Sequence, residues 1–181
     1  IERSIKSQLQ LIDDLLDVSR IITGKLELKI RATNVTKVLQ SAIEMIQPAA
    51  AAKNVHVKTQ LAESPANVAA DPDRLQQVFS NLLSNAIKFT PPGGTISAAL
   101  IYEEQWIRIT IQDSGEGIDS EFLPHVFDRF RQADSSTTRV HGGLGLGLAI
   151  VRYLTQLHGG YVEAHSEGKG KGAAFVVILP R

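Results

Sequence analysis

Residues 112–118 read Q-D-S-G-E-G-I, and their meaning is set by the run before them. There Ile107, Ile109 and Ile111 alternate with Trp106, Arg108 and Thr110, the period-2 pattern of a half-buried strand. Asp113 continues the parity of the isoleucines, so the strand's last core-facing position is a carboxylate. Such a group costs several kcal/mol, by typical estimates, unless a partner or a ligand satisfies it. Gly115 and Gly117 follow, allowing a sharp turn and a close approach of backbone to a guest. A strand ending in a D-S-G turn is common in β proteins, so the stretch needs support from elsewhere in the chain.

Upstream, Asp71-Pro72-Asp73 is a strong helix start, with Asp71 as the cap and Pro72 at the first helical position. Leu75, Val78, Phe79, Leu82, Leu83 and Ala86 then form an apolar stripe. Asn81, Asn85 and Lys88 fall at i, i+4 and i+7, within an arc of roughly 60° beside it, so two amides and an ammonium face one place. Pro91 and Pro92 stop the helix, Gly93-Gly94 turn the chain into a strand from about Thr95 to Tyr102, and Glu103-Glu104 turn it into the strand ending at Asp113.

Downstream, the sequence predicts a short helix near Ser120–Val126, then F-D-R-F-R from Phe127 to Arg131 and a polar segment of the kind that forms mobile surface loops. G-G-L-G-L-G-L, Gly142 to Leu148, opens an apolar helix through Ile150, Val151, Leu154 and Leu157. Glycines at 143, 145 and 147 before a helix make a place where free N–H groups and the helix dipole can hold phosphate. The spacing fits neither the dinucleotide fingerprint nor the P-loop. Tyr161–Ser166 and Ala173–Leu179 read as a closing hairpin.

At the other end, residues 1 to about 23 carry two adjacent apolar seams, which suits a helix of a four-helix bundle, and Gly24 ends it. A short strand is expected over Lys25–Ala32. A helix capped by Asn34 or Thr36 should run to the alanine-rich stretch, followed by a strand around Val55–Leu61. The element order is α+β, with helices on one face of the sheet.

Across 181 residues, 19 basic and 19 acidic side chains balance, so no global field points to nucleic acid. The absence of cysteine excludes disulfides and thiolate metal sites. No apolar run approaches the ~20 residues of a membrane span, so direct membrane insertion is not expected and a cytoplasmic location is. The chain opens at Ile1 in mid-pattern, which suggests a piece of a longer protein.

Four elements occur in order: N-L-L-S-N-A-I-K-F-T at 81–90, D-S-G-E-G-I at 113–118, F-D-R-F at 127–130 and G-G-L-G-L-G-L-A-I at 142–150. Together they resemble the N, G1, F and G2 boxes of the sensor histidine kinase catalytic domain, within the gyrase, Hsp90, histidine kinase and MutL ATPase group. The resemblance implies a two-layer α/β sandwich of Bergerat type, a mixed sheet with helices on one face, preceded by one long helix. Residues 1–24 are similar to the second helix of the family's dimerisation and phosphotransfer hairpin, and 25–181 to its ATP-binding catalytic domain.

By that resemblance Asp113 would accept the adenine amino group, with Gly115, Gly117, Ile118, Phe89 and Phe127 shaping the pocket. Asn85, helped by Asn81, would hold Mg²⁺ against the phosphates of ATP. Lys88, Arg129 and Arg131 would neutralise them, and Gly143, Leu144, Gly145, Leu146, Gly147 and Leu148 would form the lid. Asn81, Lys88 and Arg129 would serve the transfer itself. Implied partners are the protein's own phosphoacceptor helix, a second copy in a homodimer, and a response regulator or receiver domain. The family's acceptor motif H-E-[LI]-R-[TS]-P surrounds none of His56, His125, His141, His158 and His165, and is expected on a preceding helix. Leu144 and Ala173 depart from the family, which often has threonine or serine there. ATPases of the same group that activate water resemble this chain but place a glutamate at the position of Asn81, and a neutral amide is not basic enough for that task. A module that only binds nucleotide or a partner protein is the remaining alternative.

Overall fold

The computed structural model describes residue 12 and residues 15–21, 23–63, 67–132 and 144–181. The predicted polar loop, His141, Gly143 and most of the two-seam helix lie outside these residues.

A helical stretch at 15–21 (α1) leads into β1 (Arg31–Thr33), α2 (Val35–Ala52), β2 (His56–Leu61), β3 (Val68–Ala70), α3 (Pro72–Phe89), β4 (Thr95–Tyr102), β5 (Trp106–Asp113), α4 (Gly147–Leu157), β6 (Tyr161–His165) and β7 (Ala173–Pro180). Five strands form one sheet in the order β2-β4-β5-β7-β6, and β1 pairs with β3 separately. The sheet is mixed: β2 runs parallel to β4, and each remaining neighbour is antiparallel. Ile107, Ile109 and Ile111 meet the stripe of α3 in the core, each at most 1% exposed. All six stripe residues of α3 are likewise buried. Each large apolar side chain so buried contributes roughly 1.5–3 kcal/mol relative to exposure, and α3 is therefore the fixed spine of the helix layer. α2 and α4 pack on either side of it.

Of the described part of α1, Val18 and Ile21 enter this core while Ile12, Leu15 and Leu16 stay exposed. Asp17 fastens α1 to α3, its Oδ2 accepting from Arg74 Nη1 at 2.9 Å and Gln77 Nε2 at 2.7 Å. Among the described residues no helix is long and apolar enough to cross a membrane.

Two expectations need correction. Lys25–Ala32 is not one strand: only Arg31–Thr33 is extended in a ladder, because Lys29 N–H is taken by the Asp71 carboxylate at 2.8 Å and Leu26 turns into the core. The short helix at Ser120–Val126 shrinks to a single 3₁₀ turn, Leu123–His125, where Pro124 supplies no N–H for a longer ladder. The V-A-A strand β3 was not anticipated, since three residues carry no legible period. Asn34, not Thr36, caps α2, accepting from Lys37 N at 3.0 Å. Thr36 instead donates to Ala62 O and meets the Tyr102 hydroxyl, both at 2.9 Å.

Candidate functional site

Asp113 ends β5 on the core side, 7% exposed, as its parity requires. Its Oδ1 accepts the Gly115 N–H at 2.8 Å, and the Ala173 N–H also reaches the carboxylate. Burial pushes its pKa above the ordinary carboxylate value, and the two backbone donors only partly offset that. The carboxylate is therefore held but under-satisfied as a charge.

The turn after it is locked against two neighbours. Glu116 N–H donates to Phe89 O at 3.1 Å, and a Cβ at Gly115 would collide with that same carbonyl. Gly117 adopts φ +69° with its α-carbon against the Gly168 carbonyl, so a side chain there fails on both counts. The β6–β7 connection clasps the turn from the other side: Gly170 N–H donates to Glu116 O at 2.6 Å and Gly172 N–H to Gly115 O at 3.1 Å. Ser166 Oγ accepts from Ile118 N at 2.9 Å and donates to Gly172 O at 2.7 Å. Strand periodicity in the sequence gives only a hairpin here. The alternate glycines 168, 170 and 172 were the available signal.

Along α3, Asn81, Asn85 and Lys88 are half-buried on one face, as their spacing requires. The Lys88 ammonium sits 4.8 Å from the centre of the Phe89 ring, and burial lowers its pKa. Asn81 Nδ2 donates to Gly147 O at 3.4 Å, joining α3 to the first residue of α4. Asn81 also lines a cleft of about 490 Å³ walled by Leu16, Asp17 and Arg20 of α1.

Gly145 joins the glycine-rich segment to the F-D-R-F segment, its carbonyl accepting from Phe130 N at 3.1 Å. Phe130, at φ +61°, is 61% exposed, and Arg129 and Arg131 are exposed beside it. Phe127 is turned the other way, edge-on to Phe175 with centroids 6.2 Å apart, as part of the core packing. Leu146 is buried, Leu148 and Ile118 are partly buried against the core, and Leu144 is exposed. The structure thus gathers Asp113, Gly115, Gly117, Lys88 and Phe89 at one end of α3 and Asn81, Gly145 and Gly147 toward the other, with Asn85 between. Of the predicted histidines, His125 and His165 pair with Asp128 and Glu163, and His158 Nε2 accepts the Asp71 N–H at 3.0 Å.

Among the described residues no three His, Cys, Asp or Glu side chains converge on a metal position. The Asn85 amide, half-buried with no hydrogen-bond partner among those residues, fits the alternative in which a hard cation takes one or two protein oxygens and fills its shell from phosphate and water.

Helices lie on one face of a mixed sheet, with the candidate site residues gathered along one helix and the adjoining strand end, and this arrangement is that of an ATPase domain family. The chain belongs to the family described as histidine kinase-, DNA gyrase B- and HSP90-like ATPases, which matches residues 70–181. It is 41% identical over 211 residues to hybrid signal transduction histidine kinase D of Dictyostelium discoideum, covering 99% of this chain and 14% of that protein. It is 39% identical over 184 residues to the sensor histidine kinase GacS of Pseudomonas protegens, covering 99% and 20%. The crystal structure of full-length ShkA in complex with AMPPNP superimposes with a TM-score of 0.85 at 28% identity, over 98% of this chain and 36% of that one. The chain therefore spans a small part of the relatives it matches.

Proposed function

We propose that the chain is the ATP-binding catalytic portion of a two-component sensor histidine kinase, passing the γ-phosphoryl of ATP to a histidine nitrogen on a dimerisation domain. In this reading residues 1–24 close the dimerisation hairpin and 25–181 form the catalytic domain. The observation that carries it is Asp113, a buried carboxylate that, among the described residues, has only two backbone donors, beside a glycine turn. An adenine amino group supplies the missing donor.

The remaining roles follow from position. The Asp113 end of α3 takes the purine, with Phe89, Gly115, Gly117 and Ile118 around it. The triphosphate runs along α3 toward Gly145 and Gly147, where free N–H groups at the start of α4 favour an anion. Lys88, with Arg129 and Arg131 from the F-box, neutralises it. Asn85 and Asn81 would hold Mg²⁺, which when bound would supply charge neutralisation for phosphoryl transfer. The protein's own part is positioning: Asn81 stands both at Gly147 and at the cleft walled by α1, so the terminal phosphate faces the side from which an acceptor helix would come. A cytoplasmic site, a homodimeric parent and a response regulator or receiver domain as the next phosphoryl carrier complete the reading.

Calorimetric titration with ATP should reveal one Mg²⁺-dependent site that Asp113→Ala abolishes; unchanged binding in that variant overturns the pocket. Incubated with ATP, the chain should label a separately supplied helical hairpin bearing the acceptor histidine, with acid-labile phosphate. Label on one of its own five histidines instead would refute the transfer reading.

A further inference from the structure

Lys53 stands outside all four motif segments, yet its ammonium reaches the end of α3. Nζ donates to Ile87 O at 2.7 Å and to Lys88 O at 2.8 Å, the terminal carbonyls of the helix that carries Asn81, Asn85 and Lys88. The reach is prepared locally. Lys53 is the C-cap of α2, and Asn54 after it adopts φ +57°, so the chain reverses and Val55 N–H returns to Ala50 O at 2.8 Å. The same reversal lets Asn54 O accept Gly93 N–H at 2.7 Å, in the turn that follows α3, and His56 N–H donate to Gly94 O at 2.9 Å. Lys88, Phe89 and Thr90 are thus framed on both sides by residues 53–56.

Two consequences meet at the site. The carbonyl end of a helix carries partial negative charge, and the Lys53 ammonium offsets it where the helix abuts the Gly115–Gly117 turn. The last turn of α3 also fixes Phe89 O, which receives Glu116 N–H and against which Gly115 packs. A shift of that carbonyl would move the turn that faces Asp113.

We propose that Lys53 is a positioning residue of the nucleotide site, setting the end of α3 against the Gly115–Gly117 turn without touching the ligand. This rests on the ATP-site reading given above. The test uses the 181-residue chain with Lys53→Met, Lys53→Arg and, in parallel, Asp113→Ala. Lys53→Met should weaken Mg²⁺-ATP binding about tenfold, in the range for losses from a supporting shell, and move the Glu116 amide resonance. Lys53→Arg, which keeps donors and charge, should recover most of both.

A Lys53→Met variant that loses thermal stability but binds ATP like the parent, with the Glu116 amide unmoved, overturns the inference and makes Lys53 merely structural. If Lys53→Met does not fold, Lys53→Gln, which keeps N–H donors and loses the charge, is judged by the same two readouts. Asp113→Ala separates the levels: its loss of binding beside a normal Lys53→Met sinks only the Lys53 inference, whereas ATP binding retained in Asp113→Ala sinks the pocket itself.

Discussion

Two carboxylates expose almost equally little surface and are treated oppositely. Asp71 is 3% exposed and Asp113 is 7% exposed. Asp71 caps α3, accepting from Asp73 N at 3.0 Å and Arg74 N at 3.1 Å on one oxygen and Lys29 N at 2.8 Å on the other. Burial alone raises its pKa, but three hydrogen bonds and the Arg74 charge outweigh that and hold it below the ordinary value. Asp113 lies deeper in the protein and, among the described residues, has two backbone donors and no cation to offset that burial, and ends up above. A carboxylate serving architecture has been given everything it needs by the chain. In the proposed reading, the one that the fold leaves short of donors is completed by a purine amino group.

The strongest way to break this comparison is Asp113→Asn. The amide has nearly the same shape, but its NH₂ must point either at the Gly115 and Ala173 N–H groups or outward at an amino donor of the purine, so donor meets donor in one place or the other. ATP affinity should fall by about 100-fold or more, roughly 2.7 kcal/mol. Calorimetry reads this directly, and a fall of less than about threefold would mean that Asp113 does not face the purine.

Next in size is Asp71→Ala, which should leave the site intact and damage the scaffold. It removes the cap from α3 and leaves the Lys29 N–H without its acceptor, for a loss of about 2–3 kcal/mol in urea unfolding. ATP affinity measured well below the unfolding midpoint should hardly change. If Asp71→Ala instead abolished binding with stability retained, the division between a structural and a ligand-facing carboxylate would fail.

What sequence could reveal follows the same division. The Asp71-Pro72 start, the stripe of α3 and the parity of Asp113 are local, and each appears in the structure where the spacing put it. The shared face of Asn81, Asn85 and Lys88 was legible for the same reason. What stayed hidden depends on partners far along the chain. Lys29 gives up a strand ladder for a carboxylate 42 residues away, and Lys53 crosses to carbonyls 34 and 35 residues on. Phe127, grouped with the pocket by its motif, turns instead to Phe175. Ser166 clasps Ile118 from 48 residues away across a hairpin that no periodicity connects to the site. A period reports which face a side chain takes, but not what another segment brings to meet it.

The smallest effect is also the most direct reading of the contrast, because the two carboxylates must pull stability in opposite directions with pH. Asp71 has a depressed pKa in the folded chain, so its contribution is fully present above the unfolded carboxylate value and is lost as pH falls through the folded one. Asp113 has a raised folded pKa, so the folded state holds a proton that the unfolded chain releases; stability declines as pH rises from the unfolded value through the folded one, then levels off. The contrast is read from thermal unfolding of the parent, Asp71→Asn and Asp113→Asn between about pH 3 and about pH 7, on both sides of the ordinary carboxylate value. The deficit of Asp71→Asn relative to the parent should widen as pH rises through the acid end of the range, while the balance between Asp113→Asn and the parent should move in the variant's favour as pH rises. Saturating Mg²⁺-ATP should shrink the second trend in the parent, since a purine donor on the Asp113 carboxylate stabilises its charged form and draws its pKa back toward that of a satisfied group.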